Sequence, residues 1–148
     1  MTCLAASTGC QNAGAAADAK QDDFSNGRAL ACEGKYQQAI APLEKYLREQ
    51  PRGKNASRAG LFLGKAHLAL EDFPAAKKAF QMTIDNYATS LEAHKSKYKL
   101  AMIALLEGDH NDALARFTSL VDKPDGPLAA EALAWSRHLK AQAKAGAP

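Results

Sequence analysis

Long apolar runs are missing from this chain, and none approaches the roughly 18 to 20 residues of a membrane-spanning helix. Cysteine is scarce. Cys3, Cys10 and Cys32 are odd in number and fit no zinc-site spacing, and a chain of this size needs no disulfide staple. Cys32 reads as a small, partly buried thiol. A surplus of one charge is also lacking: 19 Lys and Arg against 16 Asp and Glu leave a net charge of +3. A nucleic-acid binder usually shows a more concentrated basic face, so no nucleic-acid partner is expected. The four histidines, His67, His94, His110 and His138, are scattered. None stands at metal-ligand spacing from another histidine or a cysteine, so no metal or other cofactor is expected. Gly60 to Lys65 is one residue short of a phosphate loop, and Ala66 replaces the hydroxyl that would hold magnesium. With no Ser–His–Asp or Cys–His arrangement legible, the chain does not read as an enzyme.

What is present is an internal repeat. Ala39, Ala76 and Ala113 stand 37 residues apart, inside GKYQQAIAPLEKY from Gly34, EDFPAAKKAFQMT from Glu71 and GDHNDALARFTSL from Gly108. Gly27, Gly64 and Ala101 precede the alanines at one fixed distance, and Leu43, Phe80 and Phe117 follow at another. Small and large residues kept in phase over three units mark a repeat array, in which each unit buries its apolar face against the next.

Within the units the apolar residues recur at helical spacing, as in Ala39, Ile40, Leu43, Tyr46 and Leu47. The pattern predicts helices over about 21–33, 36–49, 56–70, 73–86, 91–107 and 110–121. Pro51-Arg52-Gly53 stops the second, and Pro74 lies in the first turn of the fourth, where its missing N–H is harmless. A seventh helix over about 128–144 has no partner and would cap the array. The expected fold is all-α: three hairpins, with units at about 20–56, 57–93 and 94–127, followed by the capping helix.

The placement of Gly27, Ala39 and Leu43, of Gly64, Ala76 and Phe80, and of Ala101, Ala113 and Phe117 resembles the tetratricopeptide repeat. The resemblance covers about residues 20–144 and implies a right-handed superhelical stack that binds proteins. Two departures stand out. The period is 37 residues rather than 34, and the family's bulky fourth position holds Asp23, Gly60 and Lys97. A bulky residue comes one place later instead, as Phe24, Leu61, Tyr98 and Trp135.

In that family the first helix of each pair lines a concave groove. The resemblance places Phe24, Leu61, Tyr98, Met102 and Trp135 on the groove as apolar contacts, with Arg28, Arg58, Lys65 and Lys95 at its flank. A partner peptide with apolar anchors and carboxylates would suit such a surface. The same stripe can instead turn inward as core, since the preceding position lacks bulk. Paired asparagine and lysine of the chaperone-binding carboxylate clamp do not recur.

Residues 1–20 differ from the rest. Leu4-Ala5-Ala6-Ser7-Thr8-Gly9-Cys10 resembles the end of a bacterial lipoprotein signal, followed by a small polar tether. Ser7 stands where a leucine is usual, and the charged and apolar parts of a secretory signal would lie upstream of Met1. On this reading Cys10 carries lipid and tethers the protein to the outer membrane. The long period is similar to repeats of bacterial envelope proteins, among them the periplasmic partner of the Tol–Pal system and the lipoprotein of the outer-membrane barrel assembly machinery. The expectation is therefore a periplasmic adaptor or scaffold, with a cytoplasmic location as the alternative. An ancillary subunit of the secretion translocon, or a structural subunit that self-associates, remains the other reading.

Overall fold

A computed structural model describes residues 22–121 and 128–145. The lipoprotein-like segment, Cys10 included, lies outside them. Among the described residues there are seven helices and no strand: α1 Asp23–Cys32, α2 Tyr36–Glu49, α3 Ala56–Ala69, α4 Phe73–Asn86, α5 Leu91–Leu106, α6 His110–Val121 and α7 Ala129–Ala145. Each helix packs on the next. In addition α1 touches α3, and α3 touches α5, so these three form one layer with α2, α4 and α6 behind them.

Caps at both ends explain the helix boundaries. Asp22, Asp72, Ser90 and Asp109 each accept a backbone N–H of the first turn, at 2.6, 3.2, 3.0 and 2.9 Å. The three hairpin turns share one exit. The N–H groups of Lys35, Asp72 and Asp109 reach back to the carbonyls of Leu30, His67 and Ala104 at 2.9, 3.0 and 2.9 Å. That closure needs a left-handed residue just before it. Gly34 and Gly108 supply it at φ 78° and 81°, and Glu71 supplies it at φ 60° despite carrying a side chain.

Packing follows the small–large alternation. A Cβ on Gly64 would lie 2.5 Å from the Phe80 ring, and one on Gly27 would lie 2.6 Å from Leu43 Cγ. Helix axes therefore approach over glycine while the large residue fills the space beside it. Leu43, Phe80 and Phe117 are fully buried, one in each of three successive apolar clusters. Pro42 lies inside α2 without ending it. The neighbouring Leu43, wedged against Gly27, holds the chain there although one ladder bond is lost.

Two expectations are corrected. Cys32 is exposed at the end of α1 and disulfide-bonded, not a partly buried thiol. The capping helix does not continue the 37-residue phase either. Shifting Ala93, Ser96 and Leu100 of α5 by that period gives positions 130, 133 and 137, yet α7 buries Ala132, Ser136 and Leu139 while Ala130 and Arg137 are exposed. Ala132, Ser136 and Leu139 each lie 36 residues after the buried Ser96, Leu100 and Ile103, so α7 buries the equivalent face one residue ahead of the repeat phase.

Candidate functional site

The residues expected on the groove divide by burial. Phe24 is 4% exposed and packs against the rings of Tyr46 and Phe62, at centroid distances of 5.6 and 6.4 Å. Leu61 is 5% exposed in the cluster of Phe80, Leu100 and Ile103. Both are core. With Asp23 and Gly60 giving no bulk at the preceding position, the next side chain takes over the interior.

Tyr98, Met102 and Trp135 are half-buried against the third cluster. Tyr98 meets Phe117 edge-on at 5.6 Å, and Trp135 stacks on the same ring at 6.0 Å and 12°. Each spends one side on packing and leaves part of its surface to solvent. Because α7 is one residue out of the repeat phase, Trp135 does not extend the line of Tyr98 as the repeat numbering implied.

The basic residues lie outside the core. Arg28 and Arg58 are exposed, and Lys95 is half-buried. The Arg58 Nε is 3.6 Å from Glu92 Oε1, and Glu92 also accepts from the Ser57 hydroxyl at 3.2 Å, so this charge is partly satisfied within the protein. Lys65 is different. Its ammonium lies 5.4 Å from the centre of the Phe62 ring, a cation–π contact. Surrounding protein, and then the charges of Lys99 and Lys95, hold its pKa below the ordinary 10.5. Much of the side chain is nevertheless open to water.

Three lysines thus share one region of α3 and α5, and none of them has an ion pair among the described residues. Reading the sequence by groove position found Lys65 and Lys95 but missed Lys99 and Phe62. The signal was present: Lys99 follows Lys95 by one helical turn, and Phe62 and Lys99 stand one 37-residue period apart.

The remaining polar chemistry is sparse. His67 Nδ1 faces Asp72 Oδ2 at 3.4 Å without hydrogen-bond alignment and is buried with no other partner. Among the described residues no group of three histidine, cysteine or carboxylate side chains could hold a metal ion, and no helix is long and apolar enough to cross a membrane.

A stack of helical hairpins defines a helical-repeat protein, and this one carries a basic patch with no ion pair among the described residues. The tetratricopeptide repeat family matches residues 24–90 and again residues 61–127, the second match displaced by one 37-residue period. The chain belongs to the tetratricopeptide repeat family, whose members generally mediate protein–protein interaction and are typically non-enzymatic adaptors. No curated protein matches it.

Proposed function

We propose that this protein is an adaptor of the bacterial cell envelope that takes an acidic segment of its partner along the layer of α1, α3 and α5. The observation that carries the reading is the crowding of Lys65, Lys95 and Lys99, which adds to burial in holding the Lys65 pKa down, with no carboxylate among the described residues paired to them. A partner carboxylate between α3 and α5 would relieve that repulsion and gain charge-assisted hydrogen bonds. Tyr98 and Met102, half-buried beside the lysines on α5, offer apolar contact to the same segment.

The envelope assignment rests on the Gly9-Cys10 signal-like motif and on the resemblance of the long period to envelope repeats. A lipid on Cys10 would hold the adaptor at the outer membrane.

The test uses a defined peptide alternating glutamate with leucine and tyrosine, and its glutamine counterpart. The glutamate peptide is expected to bind, to weaken with added salt, and to lose about tenfold or more in affinity with the Lys95→Glu, Lys99→Glu double variant, the scale of one to two charge-assisted contacts. Equal binding of both peptides, or an unchanged affinity in a variant whose circular dichroism is that of the wild type, overturns the reading.

A further inference from the structure

A cavity of about 330 Å³ opens between α4, α5, α6 and the first residues of α7, away from the lysine patch. Its floor is aliphatic, with Ile84, Leu100 and Leu120, and its rim carries His94, Lys97 and Arg116. Lys97 stands two residues from both Lys95 and Lys99, and residues so spaced on a helix do not face the same way.

The repeat shows why the space exists. Asp23, Gly60 and Lys97 occupy one position in successive units. In the first, the Asp23 carboxylate meets Lys45 Nζ at 2.9 Å. In the second, Gly60 abuts Thr83, which is fully buried and closes the gap. In the third, Lys97 is half-buried, has no ion pair among the described residues, and borders the open cavity.

Each of its polar neighbours already has a partner within the protein. His94 Nδ1 lies 2.9 Å from the Ser90 carbonyl oxygen, Arg116 Nε is held by Asp112 at 2.6 Å, and the Gln81 amide donates to Asp85 at 2.8 Å. Lys97 is left above an apolar floor with no counter-charge paired to it among the described residues.

We propose that this cavity binds a small aliphatic carboxylate, with its head on Lys97 and its body on Ile84, Leu100 and Leu120. The volume sits at the lower end of the roughly 300 to 1,000 Å³ of small-molecule sites, which selects a short ligand. The adjoining cleft does not offer an apolar tunnel for a long chain, because Lys77 and Asp112 line it, ion-paired to Glu107 and Arg116. The inference stands apart from the adaptor reading and uses none of its residues.

The experiment titrates the full chain with hexanoate, 1-hexanol and acetate, followed by methyl chemical shifts. Hexanoate is expected to saturate, at least about tenfold more tightly than the alcohol, the scale of one charge-assisted hydrogen bond. Acetate, without the apolar body, is expected to be weaker still. Lys97→Met is expected to erase the preference for the acid, whereas the Lys95→Glu, Lys99→Glu variant keeps it. A peptide with a free C-terminal leucine that competes with hexanoate, while its amide does not, upholds the same recognition and assigns the carboxylate to a chain end. Equal binding of acid and alcohol by the wild type, or no saturable shift below about 10 mM, overturns the proposal. So does an unchanged preference in folded Lys97→Met.

Discussion

The Trp135 indole lies nearly parallel to the Phe117 ring, 12° from coplanar with 6.0 Å between centroids, and this contact fastens α7 to the last hairpin. Phe117 is fully buried and meets Tyr98 on another side, so one ring joins α5, α6 and α7. Trp135→Ala is expected to lower unfolding stability by about 2–3 kcal/mol, somewhat less than the 3–5 kcal/mol of a fully buried aromatic. Urea unfolding followed at 222 nm measures it. Unchanged stability with weakened partner binding would instead make Trp135 an exposed anchor. Because Trp135 is the sole tryptophan, its fluorescence reports on the contact of α7 with the last hairpin. A fluorescence transition at lower urea than the helical signal would show the cap leaving before the array melts.

Gly64 and Phe80 set the closest approach within the second hairpin. Gly64→Ala adds a methyl group 2.5 Å from a ring that is fully buried and has nowhere to move. The gain of about 1 kcal/mol in helix propensity is outweighed by overpacking of about 1–3 kcal/mol. The net expectation is a lower melting temperature by calorimetry. Restoration of stability in Gly64→Ala, Phe80→Leu, where the shorter side chain yields room, would assign the loss to this contact. A stabilised single variant would show that the helices can separate at no cost.

Glu71 holds a left-handed conformation that its two counterparts assign to glycine. With φ 60° at Glu71 against 78° and 81° at Gly34 and Gly108, the same turn is built three times and strained once. Glu71→Gly is expected to stabilise the protein by about 1 kcal/mol, since a left-handed residue with a Cβ costs roughly 1–2 kcal/mol. Thermal melts of the variant decide it. A lower melting point would mean that the Glu71 side chain makes a contribution larger than the strain.

The fold was legible largely because its packing rule is local and repeated. Gly27–Leu43 and Gly64–Phe80 recur at one spacing, and burial of those residues is what the spacing means physically. The phase of α7 was not legible. The period is carried by packing of each hairpin on the next, and α7 has no second helix of its own hairpin among the described residues. At the candidate site, residue type could not separate core from surface: Phe24 and Leu61 went inside while Tyr98 stayed half-exposed. The difference lies in neighbouring bulk, since Asp23 and Gly60 give little at the preceding position. Likewise the cavity beside Lys97 is lined from α4, α5, α6 and the start of α7 together, which one helix alone does not reveal.

Cys10 and Cys32 make competing demands on three thiols. Processing ahead of Cys10 would remove Cys3, and acylation would then occupy the Cys10 sulfur, so residues 10–148 of a lipidated chain hold no further cysteine to pair with Cys32. The lipid tether and an intrachain disulfide at Cys32 are mutually exclusive. Intact mass of the protein isolated from membranes, with and without reductant, separates them. The tether reading expects a mature chain beginning at Cys10 with added acyl mass. A chain that retains a disulfide to Cys3 or Cys10 removes the tether while leaving the oxidising compartment in place.

Lys65 offers an electrostatic test of the proposed partner binding. Its pKa is held down foremost by the protein around its ammonium and further by Lys99 and Lys95. As pH rises, the folded protein therefore releases this proton before the unfolded chain does. The group's contribution to stability is at its least favourable below the folded pKa and improves as pH climbs from there to the ordinary 10.5. Lys99→Met is expected to move the Lys65 pKa part of the way back up, leaving the effect of burial. Binding of the glutamate peptide is expected to raise it further, because a carboxylate favours the charged form. Side-chain NMR titration of the lysines follows both. A Lys65 pKa that rises in Lys99→Met but stays fixed when the peptide binds would confirm the crowding while placing the acidic segment elsewhere, and the adaptor reading would lose its site.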